Sequence, residues 1–302
     1  MTIRSAIFGS MLRAWSHVAP TERGAFHLVR AARRFMPASD RRDVFHTPSG
    51  IQLNLDLDTY PDCCMAFGLY ELDTFRLLRR LLKPGMTFVD CGANLGYFTL
   101  AAARWVGPTG RVEAFEPDPT NRSRLIANID NNREPAAQPT RGGAAIDAPI
   151  VVHPIAVADR AGEIDFFHPE GGGFNHGMAG AFASAAPSSA KFSVPCVRLD
   201  ALLSVAPDVV KIDIEGGELA ALRGMEKLLT VNRPPTLIVE SSPMSARLAG
   251  HEPAELFRTI RSIQPAYRIF WIGATLRELG SAAELAVISR QGNLLAKAPH
   301  AD

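Results

Sequence analysis

From Met86 onward the chain alternates short apolar runs with stretches of helical period. Thr87–Asp90, Gly110–Pro117, Ile150–Val157, the run that opens at Asp208 and Pro235–Glu240 are each short, apolar in alternation or throughout, and bounded by turn formers, which predicts strands. Residues 95–105 and 118–131 carry apolar positions at helical spacing, the second opening at Asp118-Pro119. Strand and helix in alternation indicate a parallel sheet closed by crossovers. The fold class expected is therefore α/β, doubly wound and mostly parallel. Residues 253–264 add a helix, and Tyr267–Trp271 and Leu285–Ser289 complete a seven-stranded sheet.

Upstream, Ile51–Leu57 alternates strictly and follows the turn at Ser49-Gly50, which predicts a hairpin with one buried face. Residues 3–18 and 22–35 are loosely helical, broken at Pro20 and closed by Pro37. Tyr70–Leu82 is a helix stopped by Lys83-Pro84-Gly85. Residues 133–149 have no period and predict a surface insertion. Two short strands, Glu163–Phe167 and Phe192–Leu199, flank the glycine-rich Gly171–Met178, expected to be a mobile loop. The division expected is a helical cap and hairpin over 1–59, a Rossmann-like domain over 60–292 and a frayed polar tail over 293–302.

Composition narrows the function. Hydrophobic residues at 47% and charged ones at 21% are ordinary for a globular core. A net charge of +1 demands neither nucleic acid nor a membrane as partner. The four cysteines have no metal or disulfide spacing, so a reducing cytoplasm is the expected compartment. Residues 1–42 hold eight arginines against Glu22 and Asp40. Their pattern suits a solvated basic helix pair, or else a peripheral contact with an anionic membrane.

The candidate chemistry centres on Asp90-Cys91-Gly92-Ala93-Asn94-Leu95-Gly96. Asp90 closes a strand at the end where open α/β sheets bind ligands. Gly92 and Gly96 admit close backbone approach, and Asn94 tolerates a left-handed conformation. The second strand ends in Glu116-Pro117, placed to accept hydrogen bonds from ribose hydroxyls. A dinucleotide fingerprint needs glycine at 92, 94 and 97, where this chain has Gly92, Asn94 and Tyr97. A dinucleotide oxidoreductase is thereby disfavoured. The carboxylate of Asp90 would repel a pyrophosphate and suits a cofactor with positive charge. A second signal is Lys211-Ile212-Asp213-Ile214-Glu215-Gly216-Gly217-Glu218. Strand alternation puts Lys211, Asp213 and Glu215 on one side. Charges there are costly unless paired or at the strand's open end.

The D-x-G-A-N-x-G loop and the K-x-D-x-E-G-x-E run together resemble the FkbM-type methyltransferase family. The resemblance implies a class I methyltransferase fold, S-adenosylmethionine as cofactor, and O-methylation of a natural-product, sugar or glycolipid hydroxyl. Tyr70-Glu71 ahead of Lys83-Pro84-Gly85 is similar to the same family, which implies a cofactor role for Glu71. On this basis Asp90 faces the methionine end, Gly92, Ala93, Asn94 and Gly96 lie against the cofactor, Glu116 and Pro117 meet the ribose, and Ala156 meets the adenine. Asp213, Glu215 and His176 are the candidate bases, with Asp213 also near the cofactor. Asn175, His176, Lys211 and Glu240 are expected at the acceptor. Convergence of Asp213, Glu215 and Glu240 on Mg²⁺ is a variant in which an ion replaces the base. A non-catalytic nucleoside-binding partner protein is the alternative function.

Overall fold

The structure, a computed structural model, describes residues 27, 29, 36–133, 145–169, 189–204 and 206–299. The expected helices over 3–18 and 22–35 (27 and 29 apart), most of the insertion, and the loop holding Asn175 and His176 lie outside the described residues.

Strands β1 (Arg42–His46) and β2 (Gln52–Asp56) form the expected antiparallel hairpin, with Leu53 and Leu55 buried on one face. Helices α1 (Asp62–Met65) and α2 (Leu72–Leu81) lead into β3 (Thr87–Cys91). Then follow α3 (Tyr97–Val106), β4 (Arg111–Phe115), α4 (Pro119–Arg133) and β5 (Ile150–His153). Asp118 caps α4 by accepting from Asn121 N at 2.8 Å, with Pro119 at the first helical position.

The run expected to be one strand over 150–157 is two. Its last part, β6 (Ala156–Val157), leaves for a separate three-stranded sheet with β7 (Gly162–Pro169) and β8 (Ser189–Val197). Pro154, which lacks a ladder donor, stands at the break. Helix α5 (Leu199–Leu202) returns the chain to β9 (Val209–Ile212), α6 (Glu218–Gly224), α7 (Glu226–Leu229) and β10 (Thr236–Ser241). The last third adds α8 (Pro243–Leu248), α9 (Ala254–Ile263), β11 (Arg268–Trp271), β12 (Arg277–Leu279), α10 (Ala282–Ala286) and β13 (Gly292–Lys297).

The central sheet has eight strands rather than seven, in the order β12-β11-β13-β10-β9-β3-β4-β5. The five from β10 to β5 are parallel and the other three antiparallel. Two expectations fail at its edge. Leu285–Ser289 is not a strand: residues 282–286 are helical and Val287 is largely exposed. The tail expected to fray contains β13, whose Leu294, Leu295 and Ala296 are buried between β10 and β11. Gly-Asn-Leu-Leu-Ala-Lys is a short strand buried at every position but its two ends, and such a run shows no alternation.

The outer edge of β2 is closed by side chains of α4. Asn132 accepts from Gln52 N at 2.9 Å and donates to Gln52 O, while Asn128 accepts from Asn54 N at 2.7 Å. These amides stand in for a neighbouring strand and satisfy backbone groups that would otherwise be exposed. They tie the N-terminal hairpin to α4, the crossover between β4 and β5.

Candidate active site

Cross-strand register builds the site. Phe88 and Asp90 share one face of β3, and Val89 and Cys91 pack on the other. Asp90 is paired in register with Lys211 of β9, and Glu240 of β10 with Asn293 of β13. Four neighbouring strands therefore carry a polar row across the same face, at the carboxyl ends of β3, β9 and β10, where open sheets take ligands, and at the amino end of the antiparallel β13.

Lys211 is 2% exposed and donates to Asp213 Oδ2 at 2.6 Å. Its ammonium also lies 4.5 Å from the centroid of the Phe98 ring. Burial works against this charge, but Asp213, Glu71 and Asp90 outweigh it and hold the amine protonated. Strand β9 ends at Ile212, so of the three charged residues expected to alternate along it only Lys211 lies within the strand, with Asp213 just past its end. Glu215 belongs to the following turn with a left-handed φ of 52°. Its Oε2 accepts from Ser245 Oγ at 3.1 Å. Burial and then the charge of Asp213 push Glu215 up to about 8.

Asp90 is buried behind the loop, accepting from Thr99 Oγ1 at 2.6 Å through one oxygen. Its Oδ1 has no partner among the described residues. Burial raises its carboxyl, and Lys211 opposes that shift. Gly92 N and Ala93 N donate to Phe115 O, and Asn94, at φ 50°, turns its N–H to Glu116 Oε2 at 2.7 Å. The other oxygen of Glu116 accepts from Asp118 N at 2.9 Å. Glu116 is pushed up to about 8 by burial, against the pull of those two donors.

The glycines of the loop are required by the protein itself. A Cβ at Gly92 (φ 88°) would stand 1.9 Å from the carbonyl oxygen of Asp213, and one at Gly96 (φ 97°) 2.6 Å from Leu125 Cδ1. Gly92→Ala is therefore expected to push the β3 and β9 loops apart. It should lower stability by about 2–3 kcal/mol, combining left-handed strain with overpacking. Urea unfolding would measure this, and an unchanged midpoint would refute the close approach.

These loops border a cavity of about 560 Å³. Of the residues singled out in the sequence, Gly92, Ala93, Asn94, Glu116, Pro117, Ala156, Lys211, Asp213, Glu215 and Glu240 line it. Asp90, Gly96 and Glu71 are not on its wall. Glu71 is the N-cap of α2 at φ 42°, its carboxylate accepting from Asn293 Nδ2 at 2.8 Å. Residues that sequence patterns did not single out also line the cavity. Tyr60, Tyr70, Tyr97 and Phe98 form an aromatic wall, and Ser242, Met244 and Gln291 a polar and thioether rim. Only Tyr70 had a signal, its place in the Tyr-Glu pair.

Glu240 is 4% exposed; Gln291 Nε2 donates to its Oε1, and Oε2 has no partner among the described residues. Burial, then Asp213, Glu215, Glu218 and Glu71, raise its carboxyl well above the ordinary range. Cys91 is buried and its thiol raised by burial, which leaves it a packing residue. His153 is held by Glu113 at 2.7 Å and stacked on Phe115, a structural histidine. Among the described residues no three His, Cys, Asp or Glu side chains are placed to hold a metal ion. The Mg²⁺ variant therefore finds no support.

The family model of the methyltransferase FkbM domain matches residues 90–267, more than half of the chain. The chain belongs to the FkbM methyltransferase family. Its residues 90–267 are thus a methyltransferase FkbM domain. Among solved structures, the chain is similar to a methyltransferase FkbM from Methylobacillus flagellatus, at 18% identity and a TM-score of 0.44, over 77% of this chain and 54% of that one. It spans about half of that relative's length. It is also similar to an S-adenosylmethionine-dependent O-methyltransferase from Thermotoga maritima, at 10% identity and TM-score 0.39, over 76% of this chain and 66% of that one. No curated protein sequence matches the chain. Among the described residues no helix is long and apolar enough to cross a membrane.

Proposed function

We propose that this FkbM-family protein transfers a methyl group from S-adenosylmethionine to a hydroxyl of a sugar, glycan, glycolipid or natural product. One observation carries the reading: a single cavity joins a nucleoside-sized cradle to an excess of carboxylates. Phe115, Ile155, Ala156 and Val157 offer an apolar wall for a base, and Glu116 stands where ribose hydroxyls can donate to it. Asp213, Glu215 and Glu240 lie at the other side of the same space, with Lys211 as their neighbouring cation. That set of acceptors fits a cofactor carrying a sulfonium and an ammonium. The volume is within the usual range for ligand pockets, about 300–1,000 Å³, and leaves room for an acceptor.

When bound, the cofactor supplies an electrophilic methyl group on a cationic sulfur. The residues of this chain do the rest. The loop from Gly92 to Asn94 and Glu116 fix one reactant, and the aromatic wall around Tyr60 and Tyr70 shapes the space for the other. Holding two reactants in line contributes about 7–11 kcal/mol to such displacements. A hydroxyl acceptor must also lose its proton, and Glu215, poised near neutrality in the cavity, is the base of this proposal. Asp213 is the second candidate, though its Oδ2 is held by Lys211. Asn175 and His176 stay proposed acceptor contacts, as does a cytoplasmic site of action.

Labelled methyl transfer from S-adenosylmethionine to a panel of sugar, glycan and polyketide hydroxyls tests the activity. For the cofactor cradle, Glu116→Ala should weaken S-adenosylmethionine binding by about 10–100-fold, the worth of hydrogen bonds to a charged group. A folded Glu116→Ala protein that binds as tightly as the parent would end this assignment of the ribose site.

A further inference from the structure

The acids of the cavity outnumber the charges available to balance them. Glu240 and Glu215 are faced by Asp213 beyond β9, Glu218 on α6 and Glu71 at the start of α2. The charge of Glu240 is also felt at Tyr70, and His251 Nε2 sits 3.5 Å from the carbonyl oxygen of Gly216, next to Glu215 in the chain. Lys211 is committed to Asp213 and to the face of Phe98. Glu218 is satisfied by Ile214 N and Gly216 N. The unpartnered Oε2 of Glu240, in a side chain more than nine-tenths buried, has no such arrangement.

We infer that Glu215 and Glu240 hold a proton between them that is given up when a cationic cofactor enters and is replaced by the acceptor's hydroxyl proton during transfer. The inference rests on the proposed cofactor site. Its physical basis is charge balance in a space shielded from water. An added positive charge within a few ångströms favours ionised carboxylates, and its loss favours protonated ones. In the transfer the acceptor oxygen forms the new O–C bond with a lone pair. The C–S bond breaks with its electrons on sulfur, and the O–H proton passes to Glu215. Before and after, the cavity holds the same total charge: a sulfonium with an ionised acid, then a thioether with a protonated one. The base is thus ionised by the same charge that makes the methyl group reactive. The raised carboxyls of Glu215 and Glu240 agree with a proton stored there in the ligand-free protein.

S-adenosylmethionine and S-adenosylhomocysteine provide the test, because they differ in the methyl group and the sulfonium charge and share the remainder. Calorimetric titration of each at pH 7.5, in two buffers of different ionisation enthalpy, reads the protons released on binding. S-adenosylmethionine should release about half a proton per site more than S-adenosylhomocysteine. Glu240→Gln and Glu215→Gln should each shrink that difference by about half, and saturable one-to-one binding of S-adenosylhomocysteine by each variant, at whatever affinity, reports an intact cradle. Equal proton release by the two ligands, with both bound, overturns this inference and leaves the cofactor site standing. A difference unchanged in both variants overturns it too. Failure of either ligand to bind overturns the cofactor site and the inference with it.

Discussion

Replacing Lys211 by methionine is expected to destabilise the protein by about 3–5 kcal/mol, the usual cost of removing one partner from a buried ion pair. Lys211 sits inside the central sheet at 2% exposure, between Asp90 in register on β3 and Asp213 at 2.6 Å. Methionine can fill much of the volume and keep contact with Phe98, so loss of charge dominates over loss of packing. The deficit should depend on pH in a definite direction. Without the cation the folded-state carboxyl of Asp90, already raised by burial, rises further above its unfolded value. A group raised in the folded state stabilises below its unfolded pKa, and that stability is lost as pH rises through the folded value. The variant should therefore fall furthest behind the parent toward pH 8 and recover part of the gap near pH 5. Denaturant unfolding at both values measures this. A constant gap would show that Lys211 acts by packing alone.

Glu215→Gln is expected to lower kcat by about 10²–10⁴-fold, the range for loss of a general base. The left-handed turn at residue 215 and the hydrogen bond from Ser245 hold the side chain in place, and glutamine can keep that bond. Any loss of cofactor affinity should therefore be smaller than the loss of turnover. Since the base works ionised, and Glu215 is pushed up to about 8 in the ligand-free protein, parental kcat/KM for the cofactor should rise with pH through that value. The rise should vanish in the variant. Full turnover in Glu215→Gln would move the base to Asp213, where Asp213→Asn becomes the deciding variant.

Much of this molecule was legible along the chain. The glycine loop, the strand–helix alternation and the carboxylates at strand ends are local patterns, and they located β3, β4, β9 and β10 and most of the cavity's polar wall. The left-handed Asn94 and the cap of α4 at Asp118 followed from single-residue preferences. Other features depended on partners distant in sequence. Glu71 looks like a first-turn carboxylate of α2, yet its hydrogen-bond donor is Asn293, 222 residues away, on a strand that resembles a polar tail. Gly92 suggests ligand approach, whereas the atom that forbids a side chain there is the carbonyl of Asp213.

Periodicity and short motifs are carried by neighbouring residues, and they were enough to reveal the class of fold, the family and the identity of the carboxylates. Only the tertiary structure decided which of those carboxylates share a space, which is left half-bonded and which is neutralised by Lys211. Register across parallel strands sets these relations, and it emerges from packing over the whole sheet: a polar residue's charge state belongs to its neighbours in space.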